Sequence, residues 1–328
     1  MQDIIRDIVE GYNIDVKSIL PYKDAYILNT NKGKKLLKRV SYLPERILFI
    51  HGAKEHLYKN NFKCTDRYLC TVDGNPYIDI GEYRYTVSDH IEGTECNFDS
   101  KADIIAASRL LACLHRSSRG YIPDKKSMPR DDLGKLPAYF SKRLEELKKL
   151  RKAAKKGKTK FDYLFLDYAD YFYNLGESVI LSIPASKYGE LVTASRNEGI
   201  LCHHDYTHHN IMLSENKMFV INFDFCCFEL KVYDLANLIR RKMRKCNWDI
   251  GEAKTIINEY RSIEPISQDE FYIMKLILQF PQKFWRVANK YYNSKHSWSE
   301  KSYLTKMQEV IMEVEYHKNF IEQFERLF

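Results

Sequence analysis

The sequence predicts an α+β protein of two lobes: a small N-terminal lobe, residues 1–92, with one helix across an antiparallel sheet, and a larger, mostly helical lobe, residues 93–328. Three observations carry this. Residues 1–92 mix helical spacing with period-2 runs and hold turn signals at Asn31-Lys32-Gly33 and Asp73-Gly74-Asn75-Pro76. From Lys101 onward nearly every long segment has helical spacing. The exception is Leu201–Asp224, LCHHDYTHHNIMLSENKMFVINFD, where two short apolar runs bracket a polar loop.

Taken in order, Ile4, Ile5, Ile8 and Val9 predict a helix over 3–12. Between Lys17 and Val40 the period changes, and Asn31-Lys32-Gly33 joins two short strands, the second carrying Lys38 near its end. Leu43–Asn60 reads as a helix with Pro44 in its first turn and Ile47, Ile50, Lys54 and Leu57 on one stripe. Glu55 is read on that stripe too, 17 residues after Lys38. Tyr68–Val72, Tyr77–Ile80 and Tyr83–Ile91 read as strands, and Glu92–Asn97 as a hinge. Helices are then expected from Lys101 to a stop at Gly120, over 131–156, 161–181 and 188–194, and, after the loop, over 232–243, 251–260, 269–292 and 302–328.

Composition narrows the function classes. Lys+Arg 52 against Asp+Glu 44 gives +8, a mild excess concentrated in Lys142–Lys160. Such a run reads as a solvated helix face, so a nucleic-acid partner is not expected. The eight cysteines form no CxxC pair, which argues against a zinc ribbon and for reduced thiols. The N-terminus MQDIIRDIVEGYNID has no signal-peptide core, and no run reaches the roughly 18 apolar residues of a membrane span. A cytoplasmic site of synthesis and no membrane partner are expected.

The polar loop carries the chemistry. His203-x-Asp205 is followed by Asn210 and then by an apolar strand ending in Asn222-Phe223-Asp224. Two strands, 200–202 and 218–221, are expected to pair as a hairpin that holds the loop still. Asp205 could take a proton from a hydroxyl, while an amide and a carboxylate could hold Mg2+ against phosphates. His203, His204, His208 and His209 invite a zinc reading, but their place in a loop with intervening Asp-Tyr-Thr argues against it. His115 lies on an apolar helix face and reads as a core histidine.

His203-x-Asp205-x4-Asn210, Asn222-Phe223-Asp224 and Tyr233-Asp234-Leu235-Ala236 together resemble the aminoglycoside phosphotransferase and choline kinase group, which has a protein-kinase-like fold. Phe280-Pro-Gln-Lys-Phe-Trp285 and Tyr291-Tyr292 resemble the CotS-type spore coat branch of that group, and the likeness covers roughly residues 15–325. The resemblance implies Asp205 as catalytic base, Lys38 at the nucleotide phosphates with Glu55 as its helix partner, and Asn210, Asn222 and Asp224 at the metal. It also implies His203 and Asp234 as supports of the loop, ATP and Mg2+ as cofactors, and other spore coat proteins as partners.

Three departures weaken the enzymatic expectation. Asn222 stands where the resemblance implies a metal-binding Asp, and a neutral amide attracts a divalent cation weakly. Ile19–Tyr26, where a phosphate-binding loop is implied, contains no glycine. His204 places bulk beside Asp205. The expected role is therefore a structural or assembly component of the spore coat with a degenerate phosphotransferase site. The alternative is an active ATP- and Mg-dependent phosphotransferase acting on an alcohol.

Overall fold

The computed structural model describes residues 2–293 and 299–327. Two compact units divide the chain: Met1–Asp131 with Glu198–Phe228, and Asp132–Asn197 with Glu229–Phe328.

The first unit opens with helix α1 (Gln2–Tyr12) and strands β1 (Val16–Tyr22), β2 (Ala25–Thr30) and β3 (Gly33–Val40). Helix α2 (Pro44–Lys59) follows, then β4 (Ile78–Ile80) and β5 (Tyr83–Asp89). These strands form one antiparallel sheet in the order β1-β2-β3-β5-β4. Ile8 and Tyr12 of α1 pack with Leu28, Leu37, Tyr85 and Val87 to make the core of the sheet. On β3 the alternation places Lys38 with Leu36 and Val40, opposite the face of buried Leu37.

Ile19–Tyr26 is not an open loop. It is β1, a two-residue turn at Lys23-Asp24, and the start of β2, with Tyr22 paired to Ala25. Tyr68–Val72 does not form a regular strand. Tyr68 bridges Ser88, and Leu69 donates to Val87, but β4 takes the other half of the same edge of β5. The shared edge leaves too few ladder bonds for a strand.

Strand β6 (Thr94–Glu95) and helix α3 (Lys101–Ser118) complete the N-terminal part of this unit. The second unit begins with α4 (Leu136–Ala154), α5 (Lys160–Ser182) and α6 (Tyr188–Glu198). The chain then returns to the first unit as β7 (Leu201–Cys202), a 3-10 turn at His208–Asn210, β8 (Ile211–Ser214), β9 (Lys217–Val220), a second 3-10 turn at Phe223–Phe225 and β10 (Cys227–Phe228). Here the expected pairing is corrected. Strand β9 pairs with β8, and β7 pairs with β10. Glu215 and Asn216 both adopt positive φ, 46° and 63°, which is the two-residue turn that suits a right-twisted hairpin. The segment expected to hinge, Glu92–Asn97, contains β6, which pairs with β8.

The second unit ends in α7 (Val232–Met243), α8 (Ile250–Arg261), α9 (Gln268–Gln279), α10 (Gln282–Asn293), α11 (Glu300–Met312) and α12 (Val314–Phe324). One expected helix, 269–292, is two. Phe280 turns extended at ψ 131° before Pro281, because a proline excludes helical backbone from its predecessor. The expected 302–328 helix also breaks, at Glu313. Leu144, Leu147 and Leu150 of α4 are buried while Lys142, Lys148 and Lys149 are exposed, so the basic run is a solvated face. The Phe-Pro-Gln-Lys-Phe-Trp segment packs: Phe280 stacks on Phe140 at 3.8 Å, Phe284 on Phe172 at 4.1 Å, and Trp285 donates to Glu146 at 2.7 Å. His115 is fully buried, and all eight cysteines are free thiols. No described helix is long and apolar enough to cross a membrane.

Candidate active site

The site lies within the first unit and is assembled from β3, α2 and the segment from β7 to β10. His203, fully buried, fixes the loop. Its Nε2–H donates to the Ile221 carbonyl at 3.0 Å, so Nδ1 is the acceptor for the Asp205 backbone N–H at 3.3 Å. The ring stands edge-on to Phe223, centroids 4.9 Å apart. Tyr206 ties the loop to α3 by donating its hydroxyl to the Ala107 carbonyl at 2.8 Å. His204 adopts φ 67°, a left-handed conformation that costs a bulky side chain energy.

Asp205 and Asn210 come together. The Asn210 amide donates to the Asp205 carboxylate and to its backbone carbonyl, both at 2.9 Å. Asn222 joins the same chain: its Nδ2 donates to Asn210 Oδ1 at 3.3 Å. Asn222 has φ 64° and ψ 67°, a region asparagine tolerates better than most residues. The oxygen that Asn210 would offer a metal is thus accepting an amide proton.

Asp224 joins Lys38. Lys38 Nζ lies 2.9 Å from Asp224 Oδ2, with both side chains largely buried. Burial pulls the lysine pKa down, but the adjacent carboxylate outweighs it and the net shift is upward. Burial, with the Asp224 charge nearby, raises the Tyr42 phenol. Arg46 of α2 donates to the carbonyls of Asp224, at 2.9 Å, and Cys226, at 2.8 Å.

Lys38 and Glu55 are not brought together. Arg67 clamps Glu55 with two bonds, 2.8 and 2.6 Å. The α2 residue that turns inward is its neighbour Lys54, 1% exposed, whose ammonium meets Asp66 at 2.9 Å and lies 4.2 Å from the Tyr68 ring centroid. Adjacent helix residues diverge by about 100°, so a stripe that buries Lys54 turns Glu55 aside. Burial raises the Asp66 pKa, and Lys54 opposes that shift. Asp234 lies buried in the first turn of α7, in the second unit.

Arg46, Lys54, Asp66 and Tyr42 were not singled out from the sequence. Lys54 had a visible signal, a lysine on an otherwise apolar stripe. Asp66 had none, because its partner lies across a loop.

These residues fit a bound Mg2+ poorly. Two of the three implied ligands are amides already bonded to each other, and the third is a carboxylate paired to an ammonium. A divalent cation binds such a set only by displacing Lys38 and reversing the Asn222 amide. At the other end, Lys23 in the β1–β2 turn donates to Glu95 at 3.0 Å, and Glu95 also meets His209. The turn is two residues long and holds no glycine, so it lacks the Gly-rich backbone that usually cradles a phosphate.

Comparison with known proteins gives a consistent picture. A family model described as "Spore coat putative kinase YutH" matches residues 5–324. Spore coat protein S of Bacillus subtilis (strain 168) is 24% identical over 335 residues, covering 100% of this chain and 95% of that protein. An aminoglycoside phosphotransferase from Alicyclobacillus acidocaldarius superposes with a TM-score of 0.85 at 21% identity, covering 97% of this chain and 94% of that one. An amicoumacin kinase solved with AMP-PNP, Ca2+ and Ami superposes with a TM-score of 0.61 at 13% identity, covering 100% and 97%. The α+β fold is that of the kinase-like phosphotransferases.

Proposed function

The chain belongs to the YutH family of spore coat kinase-like proteins, and from that premise we propose that it is a structural or assembly component of the spore coat with a degenerate phosphotransferase site. The observation that carries this reading is the pairing of Asp224 with Lys38 at 2.9 Å. Asp224 is the carboxylate nearest in sequence to the position Asn222 has vacated, and it already has a cation. The closed Asn222–Asn210–Asp205 chain supports the same reading, as does the glycine-free turn at Lys23-Asp24. In this role the fold presents surfaces to other coat proteins and the loop stabilises the first unit.

A second reading is an active ATP- and Mg-dependent phosphotransferase with Asp205 as base toward an alcohol. One observation favours it. Asp205 and Asn210 keep the mutual arrangement the chemistry needs, with Asn210 orienting the carboxylate at 2.9 Å.

Thermal shift with Mg-ATP separates the two. The scaffold reading expects no change in melting temperature at millimolar Mg-ATP. A rise that is lost in both Asp205→Ala and Lys38→Ala would overturn it in favour of the enzyme.

A further inference from the structure

A second feature lies wholly in the helical unit. A cavity of about 530 Å3 opens between α10, α11 and the end of α7, within the range typical of small-ligand sites. Its walls carry five cations, Arg244, Lys283, Arg286, Lys290 and Lys306, and one carboxylate, Glu309. On α10 the three cations recur at i, i+3 and i+7 and so share a face.

The acids nearby are already used. Lys283 takes Glu313 at 2.8 Å and Glu309 at 3.7 Å. Arg244, Arg286 and Lys290 form no ion pair among the described residues. Arg244 Nε is buried with no hydrogen-bond partner among them. A buried guanidinium donor left unmatched is costly.

The strain on this charge is visible. Burial lowers the Arg244 pKa to about 10; Glu313 opposes the fall, and Arg286 and Arg241 add to it. Burial is the main cause that lowers Arg143 and Arg240, and Arg286 adds to it. Several arginines are therefore held near one another. Guanidinium forks suit phosphate oxygens in pairs, and Val287 and Tyr303 give the wall an apolar part.

We propose that this cavity binds a small phosphate-bearing anion through Arg244, Arg286, Lys290 and Lys306, at a site separate from the Asp205 loop. The inference does not depend on whether that loop is active.

Inorganic pyrophosphate is the probe, titrated into the full chain by isothermal calorimetry at constant ionic strength. Saturable binding is expected. Arg286 and Lys290 are exposed, so the double variant Arg286→Gln/Lys290→Gln should fold, and its circular dichroism melt checks this. It is expected to bind at least tenfold more weakly. The equally charge-depleted Lys142→Gln/Lys149→Gln, on the exposed face of α4, should bind as the native chain does. No saturable heat at millimolar pyrophosphate, unchanged affinity in the Arg286/Lys290 double variant, or an equal loss in the Lys142/Lys149 variant would each overturn the proposal.

Discussion

Lys54→Met tests the electrostatic reading of the candidate site most directly. Lys54 is 1% exposed and its only carboxylate partner among the described ion pairs is Asp66, itself 7% exposed. Removing one member of a buried pair leaves the other charged and unmatched, which costs about 3–5 kcal/mol. The ammonium over Tyr68 adds about 1 kcal/mol. Methionine keeps the aliphatic stem and returns part of the packing, so a net loss of about 3 kcal/mol is expected.

The loss should depend on pH. Burial already raises the Asp66 pKa, and Lys54 is what opposes it. Without Lys54 the folded-state pKa rises further, so the folded protein holds a proton the unfolded chain has released. Stability then falls as pH rises from the ordinary 3.8 through the raised value. The deficit is therefore smallest in acid and largest near neutrality. Urea unfolding followed by tryptophan fluorescence reads it, as a midpoint shift of about 1 M at a slope of about 3 kcal/mol/M. Adding Asp66→Asn to Lys54→Met should recover most of the loss at neutral pH. A loss below about 1 kcal/mol, or no recovery in the double variant, would refute the reasoning.

Three further expectations follow from single contacts. Asn222→Asp replaces a donor to Asn210 Oδ1 with an acceptor, so it should cost about 1–2 kcal/mol; recovery of the melting temperature by millimolar MgCl2 would show a competent metal site and contradict the scaffold reading. Gly93→Ala should destabilise by more than about 2 kcal/mol, because its Cβ would stand 2.1 Å from the Leu213 carbonyl oxygen of the β8–β9 hairpin; a melt within a degree of native would refute the close approach. His317 donates to the Leu278 carbonyl, and burial lowers its pKa from 6.5 to about 4. A depressed histidine binds its proton more readily in the unfolded chain, so stability is lost as pH falls through that window. Denaturation curves at pH 6.5 and pH 4 should show His317→Gln losing about 2–3 kcal/mol less than native over that range, at 1.36 kcal/mol per unit; equal losses would place the titration elsewhere.

Much of the fold was legible because periodicity is a local property. The α2 stripe, the Asn31–Gly33 turn and the long helices were all written in residues a few positions apart. Strand partners were less legible. The run 218–221 reads as a strand, but nothing in it chooses Ile211–Ser214 over Ile200–Cys202 as its partner. The turn at Glu215-Asn216 decided that, and its positive φ values belong to residues that do not require them. Pro281 signals the break at Phe280, while the aromatic spacing that continues through it masks that signal.

The candidate site divides in the same way. The sequence by itself determined its inventory: Asp205 and Asn210 at fixed spacing, Asn222 in place of a carboxylate, and no glycine between Ile19 and Tyr26. Those facts depend only on which side chains are present. The tertiary structure decided who meets whom. Lys38 and Asp224 are 186 residues apart in sequence and 2.9 Å apart in space, while Lys38 and Glu55 share neither contact nor partner. An ammonium pairs with whichever carboxylate the packed backbone brings within reach. Along α2 a single residue of helical phase turned Lys54 inward and gave Glu55 to Arg67, and that phase is set by burial of the whole stripe.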